Sequence, residues 1–142
     1  MATETVYAVW DYHDGIRTGV ADFKGEPHFF EQELSDQQQD YSPTFQLKPI
    51  AGVLLSKVVE QWQVFRDWET KFHCGLAAAT THPGLPGQSK RYAELDALIK
   101  AEFEESRPGR LRATGSFSGL PDQESAAKGI MREVQVEWQD VD

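Results

Sequence analysis

Asp14-Gly15, set between the runs Val6-Tyr7-Ala8-Val9-Trp10-Asp11-Tyr12 and Ile16-Arg17-Thr18-Gly19-Val20-Ala21-Asp22-Phe23, constrains the fold more than any other feature of the chain. The pair suits the positive φ angles of a type I′ turn, and the β-branched and aromatic residues around it predict two hairpin strands. A two-residue turn sets register. With His13 opposite Ile16, the pairs become Asp11 with Thr18, Trp10 with Gly19, Val9 with Val20, Ala8 with Ala21 and Val6 with Phe23. Alternation then puts Val6, Ala8, Trp10, Tyr12, Gly19, Ala21 and Phe23 on a core face, and Tyr7, Asp11, His13, Thr18 and Asp22 on a wet one.

The turn residues Lys24-Gly25-Glu26-Pro27 lead into a third strand over 27–34. Pairing Lys24 with Pro27 sends His28, Phe30 and Leu34 inward and Phe29, Glu31 and Glu33 outward. Residues 35–43 read as a polar connection, followed by a fourth strand, Thr44-Phe45-Gln46-Leu47-Lys48, which Pro49 stops. From about 50 to 74 the period becomes helical. Leu54, Val58, Trp62, Phe65, Trp68 and Phe72 form one stripe, Asp67 and Lys71 an i,i+4 pair, and Gly75 the left-handed cap. The four aromatics of the stripe are expected to be the other half of the core, with Trp62, Phe65 and Trp10 meeting at its centre. Residues 75–89 read as a mobile loop. Ser89 caps a second helix to about Ser106, striped by Tyr92, Leu95, Ile99 and Phe103. Two more strands follow, one with Leu111, Ala113, Gly115 and Phe117 inward and one with Val134, Val136 and Trp138 inward; a short helix over 121–128 lies between them. The expectation is a single α+β domain over 1–142. Its antiparallel sheet has about six strands, the chain order is ββββααββ, and both helices pack on one face.

A chain of 142 residues can bury a sizeable core without a metal or disulfide, and Cys74 is its only cysteine. It opens on Met-Ala-Thr-Glu, without the basic and apolar segments of a leader, so a cytoplasmic protein is expected. The longest strongly apolar run, Val53-Leu54-Leu55, is far too short to cross a membrane. A net charge of −9 argues against nucleic acid, because phosphate binding needs Lys and Arg. Residues 1–50 hold nine acids to three bases and residues 120–142 six to two, so both ends are acidic. Arg107, Arg110 and Arg112 form the one basic cluster, read as a solubilising rim.

On the open sheet face, Asp11, Asp22, Glu31 and Glu33 would join Glu133 and Glu137 in one acidic surface. Two catalytic patterns compete with that reading. Glu69 and His73 share a helix face, and with His82 they could give a divalent metal such as zinc three ligands and an open position; Glu69 could equally pair with Arg66. Asp11, Thr18 and Glu33 fall in one cross-strand row near His13, but an open sheet offers no low-dielectric cleft to shift their pKa values. Cys74 beside His73 lacks an orienting third group and reads as a buried or half-buried structural thiol.

Trp10-Asp11-Tyr12-His13-Asp14-Gly15, Ala21-Asp22-Phe23-Lys24-Gly25-Glu26-Pro27-His28, His82-Pro83 and Arg91-Tyr92 resemble stretches in a group of small uncharacterised bacterial proteins, over about the first hundred residues. The resemblance implies no activity, ligand or site residue. The leading expectation is therefore a non-catalytic binding protein that presents the acidic face to a basic protein partner and needs no cofactor. The alternative is a small metal-dependent hydrolase using Glu69, His73 and His82.

Overall fold

A computed structural model describes residues 3–12, 16–35, 40–106, 109–118 and 134–141. Strands β1 (Glu4–Tyr12), β2 (Ile16–Phe23), β3 (Glu26–Ser35), β4 (Asp40–Pro49), β5 (Leu111–Ser118) and β6 (Gln135–Asp140) pair antiparallel in chain order. β6 then pairs with β1, so the sheet closes into a barrel. Helices α1 (Gly52–His73) and α2 (Lys90–Ser106) lie between β4 and β5, with a 3-10 turn (Ala79–Thr81) between them. The α+β class, the antiparallel sheet and the two helices agree with the sequence reading. The open sheet does not, and the 3-10 turn is an addition to the expected ββββααββ order. β4 also starts at Asp40, inside the stretch read as a polar connection.

Closure changes what inside and outside mean. The inward residues of all six strands fill the barrel, where Phe30, Phe45, Phe117 and Trp138 each touch the other three at ring-centroid distances of 5.4 to 6.0 Å. Trp138 is satisfied there, because its indole N–H donates to the Asp22 carbonyl at 2.8 Å. The helices pack against the barrel's outer wall. A second core lies between them and the wall, built on Ala8, Val20, Phe29, Val58, Leu95 and Ile99. Phe29, expected to face water, is buried in this second core.

Register explains the misplaced residues. On β1 and β2 the partners are Val6 with Ala21, Ala8 with Val20, Val9 with Gly19, Asp11 with Thr18 and Tyr12 with Ile16. The slips leave one extra residue at Tyr7 and at Trp10 on β1, and at Arg17 on β2. A slip of one residue reverses a strand's faces. Val6 and Val9 therefore pack on the barrel interior while Ala8 and Trp10 join the helix side, against their expected place on one common core face. Gly19 faces Val9 rather than Trp10, and a Cβ there would lie 2.1 Å from the Ala8 carbonyl oxygen and 2.7 Å from Phe30 Cζ.

Between β2 and β3 the slip is harmless. Lys24 (φ 55°) and Gly25 (φ 81°) form a two-residue turn that pairs Phe23 with Glu26 instead of Lys24 with Pro27. That displaces the register by two residues, and the faces survive: Phe30 and His28 are buried on the inner side as expected. Glu4 accepts both turn amides, from Lys24 N–H at 3.1 Å and Gly25 N–H at 2.7 Å.

Helix α1 ends as its sequence demands. Gly75 (φ 78°) donates to Phe72 and Leu76 to Lys71, the two bonds of a Schellman cap. Asp67 accepts from Gln63 at 2.8 Å, where a pair with Lys71 was expected. Ser89 Oγ accepts from Tyr92 N–H at 3.1 Å and caps α2. Trp62 and Trp10 belong to the same helix-side core, but Phe65 does not; it continues from Trp62 into a ladder with Trp68 and Phe72 along α1. Gln61 takes the buried place beside Val58 instead. The helix expected over 121–128 lies outside the described residues. No described helix is long and apolar enough to cross a membrane.

Candidate functional site

The acidic residues do not share a flat face. Asp22 on β2 and Glu31 and Glu33 on β3 are on neighbouring strands, whereas Glu137 is on β6, across the six-stranded ring from β3. Asp22 accepts the Tyr7 hydroxyl at 3.0 Å; burial, then this bond, raise the Tyr7 pKa above its ordinary value. Glu33 takes Arg112 in a two-bond fork at 2.7 and 2.9 Å, which holds its carboxyl below the usual range and employs a residue of the expected arginine rim. Asp11 pairs by backbone with Thr18, and Thr18 with Glu31, so Glu31 and not Glu33 completes that row. The Asp11 side chain, His13, Arg107 and Glu133 lie outside the described residues.

Glu69, His73 and His82 do not converge. Glu69 pairs with Arg66, His73 lies edge-on to Phe72, and His82 packs on Trp68 (4.7 Å) and Phe65 (5.6 Å). His82 Nδ1 accepts from Gly84 N–H at 2.9 Å, and Trp68 donates to Thr81 at 2.9 Å. These contacts tie the 3-10 turn to α1, so His82 serves to anchor the connection that was expected to be mobile. Among the described residues no group of three His, Cys, Asp or Glu side chains is placed to hold a metal. Cys74, expected to be buried or half-buried, is exposed.

The site the structure does build is a cleft of about 450 Å³ between α2 and the outer wall of β1 and β2. Its floor is Trp10, turned outward by its bulge and packed edge-on to Phe103 at 5.8 Å, with Thr18 beside it. Its long wall is one face of α2, where Tyr92, Asp96, Lys100 and Glu104 recur every fourth residue. Gln61 of α1, 4% exposed, donates to Asp96 at 3.0 Å across the helix pair, and the rest of its amide belongs to the cleft wall. Asp96 also holds Lys100 at 2.8 Å, and that bond raises the Lys100 pKa. Burial raises the Tyr92 pKa, so its hydroxyl stays protonated at neutral pH. Just outside, Arg91 forks onto Glu60 at 2.6 and 2.8 Å and fixes α2 against α1.

Sequence reasoning passed over this cleft because Trp10 was assigned inward. One signal was present: Gln61 is a polar residue three positions after Val58, on the face that packs inward. A second hollow of about 360 Å³ lies between α2, the start of α1 and the end of β4, beside the exposed Val53 and Leu98. Comparison with family models, curated proteins and solved structures returns no match, so the cleft is interpreted from its own residues.

Proposed function

We propose that this is a binding protein whose ligand is a small molecule held in the cleft between α2 and the barrel. The observation that carries this reading is Trp10: a large aromatic that a bulge removes from the barrel core and sets in the floor of a concave, mixed aromatic and polar site. A binding role suits the lining better than a catalytic one. Among the described residues it holds no histidine, cysteine or serine. Its carboxylates, Asp96 and Glu104, are eight residues apart on α2, a rise of about 12 Å and too far to act as an acid and a base on one bond. A basic protein partner draws less support, since Asp22 and Glu33 are engaged by Tyr7 and Arg112 and Glu137 lies on the opposite wall.

A ligand-observed NMR screen of small metabolites tests the reading, with Thr18→Trp as a variant that fills the cleft from the barrel side. Binders that Thr18→Trp loses while keeping its circular dichroism support the cleft. Binders that persist in Thr18→Trp, or a screen with none, would overturn it.

A further inference from the structure

Resting on that cleft, we infer that its ligand is an organic cation: a planar ring or hydrocarbon body carrying an ammonium or similar positive group. Three observations converge. The apolar part of the site is aromatic apart from Ile99, with Trp10 and Phe103 on the floor and Tyr92 on the wall, and ring faces attract cations as well as apolar groups. The charged lining is two carboxylates, Asp96 and Glu104, to one ammonium, Lys100. The whole chain carries −9, so the surrounding field favours a cation over an anion as it approaches.

Lys100 shows how the charge would be received. Its ammonium lies 2.8 Å from Asp96 Oδ2, on a side chain that remains 74% exposed. Such an exposed pair contributes little stability, and the lysine stem is flexible. A ligand ammonium can take over Asp96 while Lys100 turns to solvent. Asp96 itself does not move, because Gln61, buried between the helices, holds Oδ1. The site is thus a fixed carboxylate with a replaceable counter-ion, beside an aromatic floor.

The test is a titration of the full chain, by NMR or calorimetry, with three probes that share an indole ring: tryptamine (cation), 3-methylindole (neutral) and indole-3-propionate (anion). The expected order is tryptamine tightest and propionate weakest, with at least a tenfold span between them that shrinks in high salt. Asp96→Asn keeps the acceptor for Gln61 and removes the charge, and should bring tryptamine to within about threefold of 3-methylindole. Lys100→Gln, at an exposed position of α2, serves if Asp96→Asn fails to fold: freeing Asp96 of its counter-ion should tighten tryptamine relative to 3-methylindole, and an unchanged ratio counts against the cation inference. Equal binding of the three probes, or preference for the acid, overturns the cation inference and leaves the cleft as a binding site. If none of the three binds, or if all bind equally to Thr18→Trp, the cleft reading fails as well.

Discussion

Gly19→Ala is the sharpest probe of the bulged hairpin. A methyl group at residue 19 would stand 2.1 Å from the Ala8 carbonyl oxygen and 2.7 Å from Phe30 Cζ, where ordinary contact begins at 3.4 Å. Neither neighbour retreats easily. The carbonyl belongs to a paired strand, and Phe30 is wedged against three other rings. Gly19 is not among the residues with positive φ, so the cost is steric and not conformational. Overpacking a core costs about 1 to 3 kcal/mol, and a collision with backbone belongs at the upper end, about 3 kcal/mol. With a urea m-value of about 2 kcal/mol/M, the denaturation midpoint should fall by about 1.5 M. Tryptophan fluorescence and far-UV circular dichroism would both follow the transition. Phe30→Leu relieves the ring contact but not the carbonyl contact, so most of the Gly19→Ala penalty should persist in that background. A midpoint shift under about 0.3 M would refute the reasoning. So would full rescue by Phe30→Leu. The first would mean that residue 19 meets only movable side chains, as in a β1 without bulges; the second, that the Phe30 ring is the whole obstacle and the Ala8 carbonyl lies out of reach.

The two cores should respond unequally. Phe30→Ala, at the fully buried centre of the barrel, should cost about 3 to 5 kcal/mol, whereas Trp62→Ala, only half-buried in the helix layer, should cost about 2 kcal/mol and leave the near-ultraviolet signal of Trp138 intact; equal losses in urea titrations would contradict the two-core structure. Arg112 lowers the Glu33 pKa in the folded state, so the unfolded chain takes up the proton first as pH falls. That stabilisation is complete above the ordinary value of 4.5 and is lost as pH drops through the lower folded value. Glu33→Gln should therefore flatten the acid limb of melting temperature against pH, and an unchanged limb would dismiss the pair as a contributor. Chelation with EDTA should leave the melting temperature unchanged, since Glu69, His73 and His82 point to different partners; a drop of several degrees would restore the metal reading.

Where residues repeat with a clean period, sequence and structure agree closely. Helices α1 and α2, the Gly75 cap, the Ser89 cap, the inward set of β6 and most of that of β5 were legible, because each depends on local spacing; Leu111, expected inward at the start of β5, is instead exposed. The faces of β3 survived even a wrong turn, since an error of two residues preserves alternation. What could not be read was the pair of extra residues in β1. Nothing in Val6-Tyr7-Ala8-Val9-Trp10 announces a bulge; it arises from the demand of six strands to curl into a ring, a condition set by β6, far along the chain. The cleft was hidden for the same reason. Its polar wall was visible in the spacing of Tyr92, Asp96 and Lys100, but its floor depended on which way Trp10 turned.

The ring is joined at a narrow seam, where β1 meets β6 through Glu4 with Val136 and Thr5 with Gln135, reinforced by Val6 N–H on the Val134 carbonyl at 3.1 Å. Every other joint links strands that are consecutive in the chain. On the ribosome, β1 and β2 can pair almost at once, yet the outer edge of β1 must wait until Gln135–Asp140 has emerged before its last neighbour arrives. During that interval a nascent chain carries an unpaired strand edge, the surface most apt to recruit a strand from another molecule. Removing β6 would make that interval permanent, leaving a chain with two helices in place and an aggregation-prone edge where the seam should be.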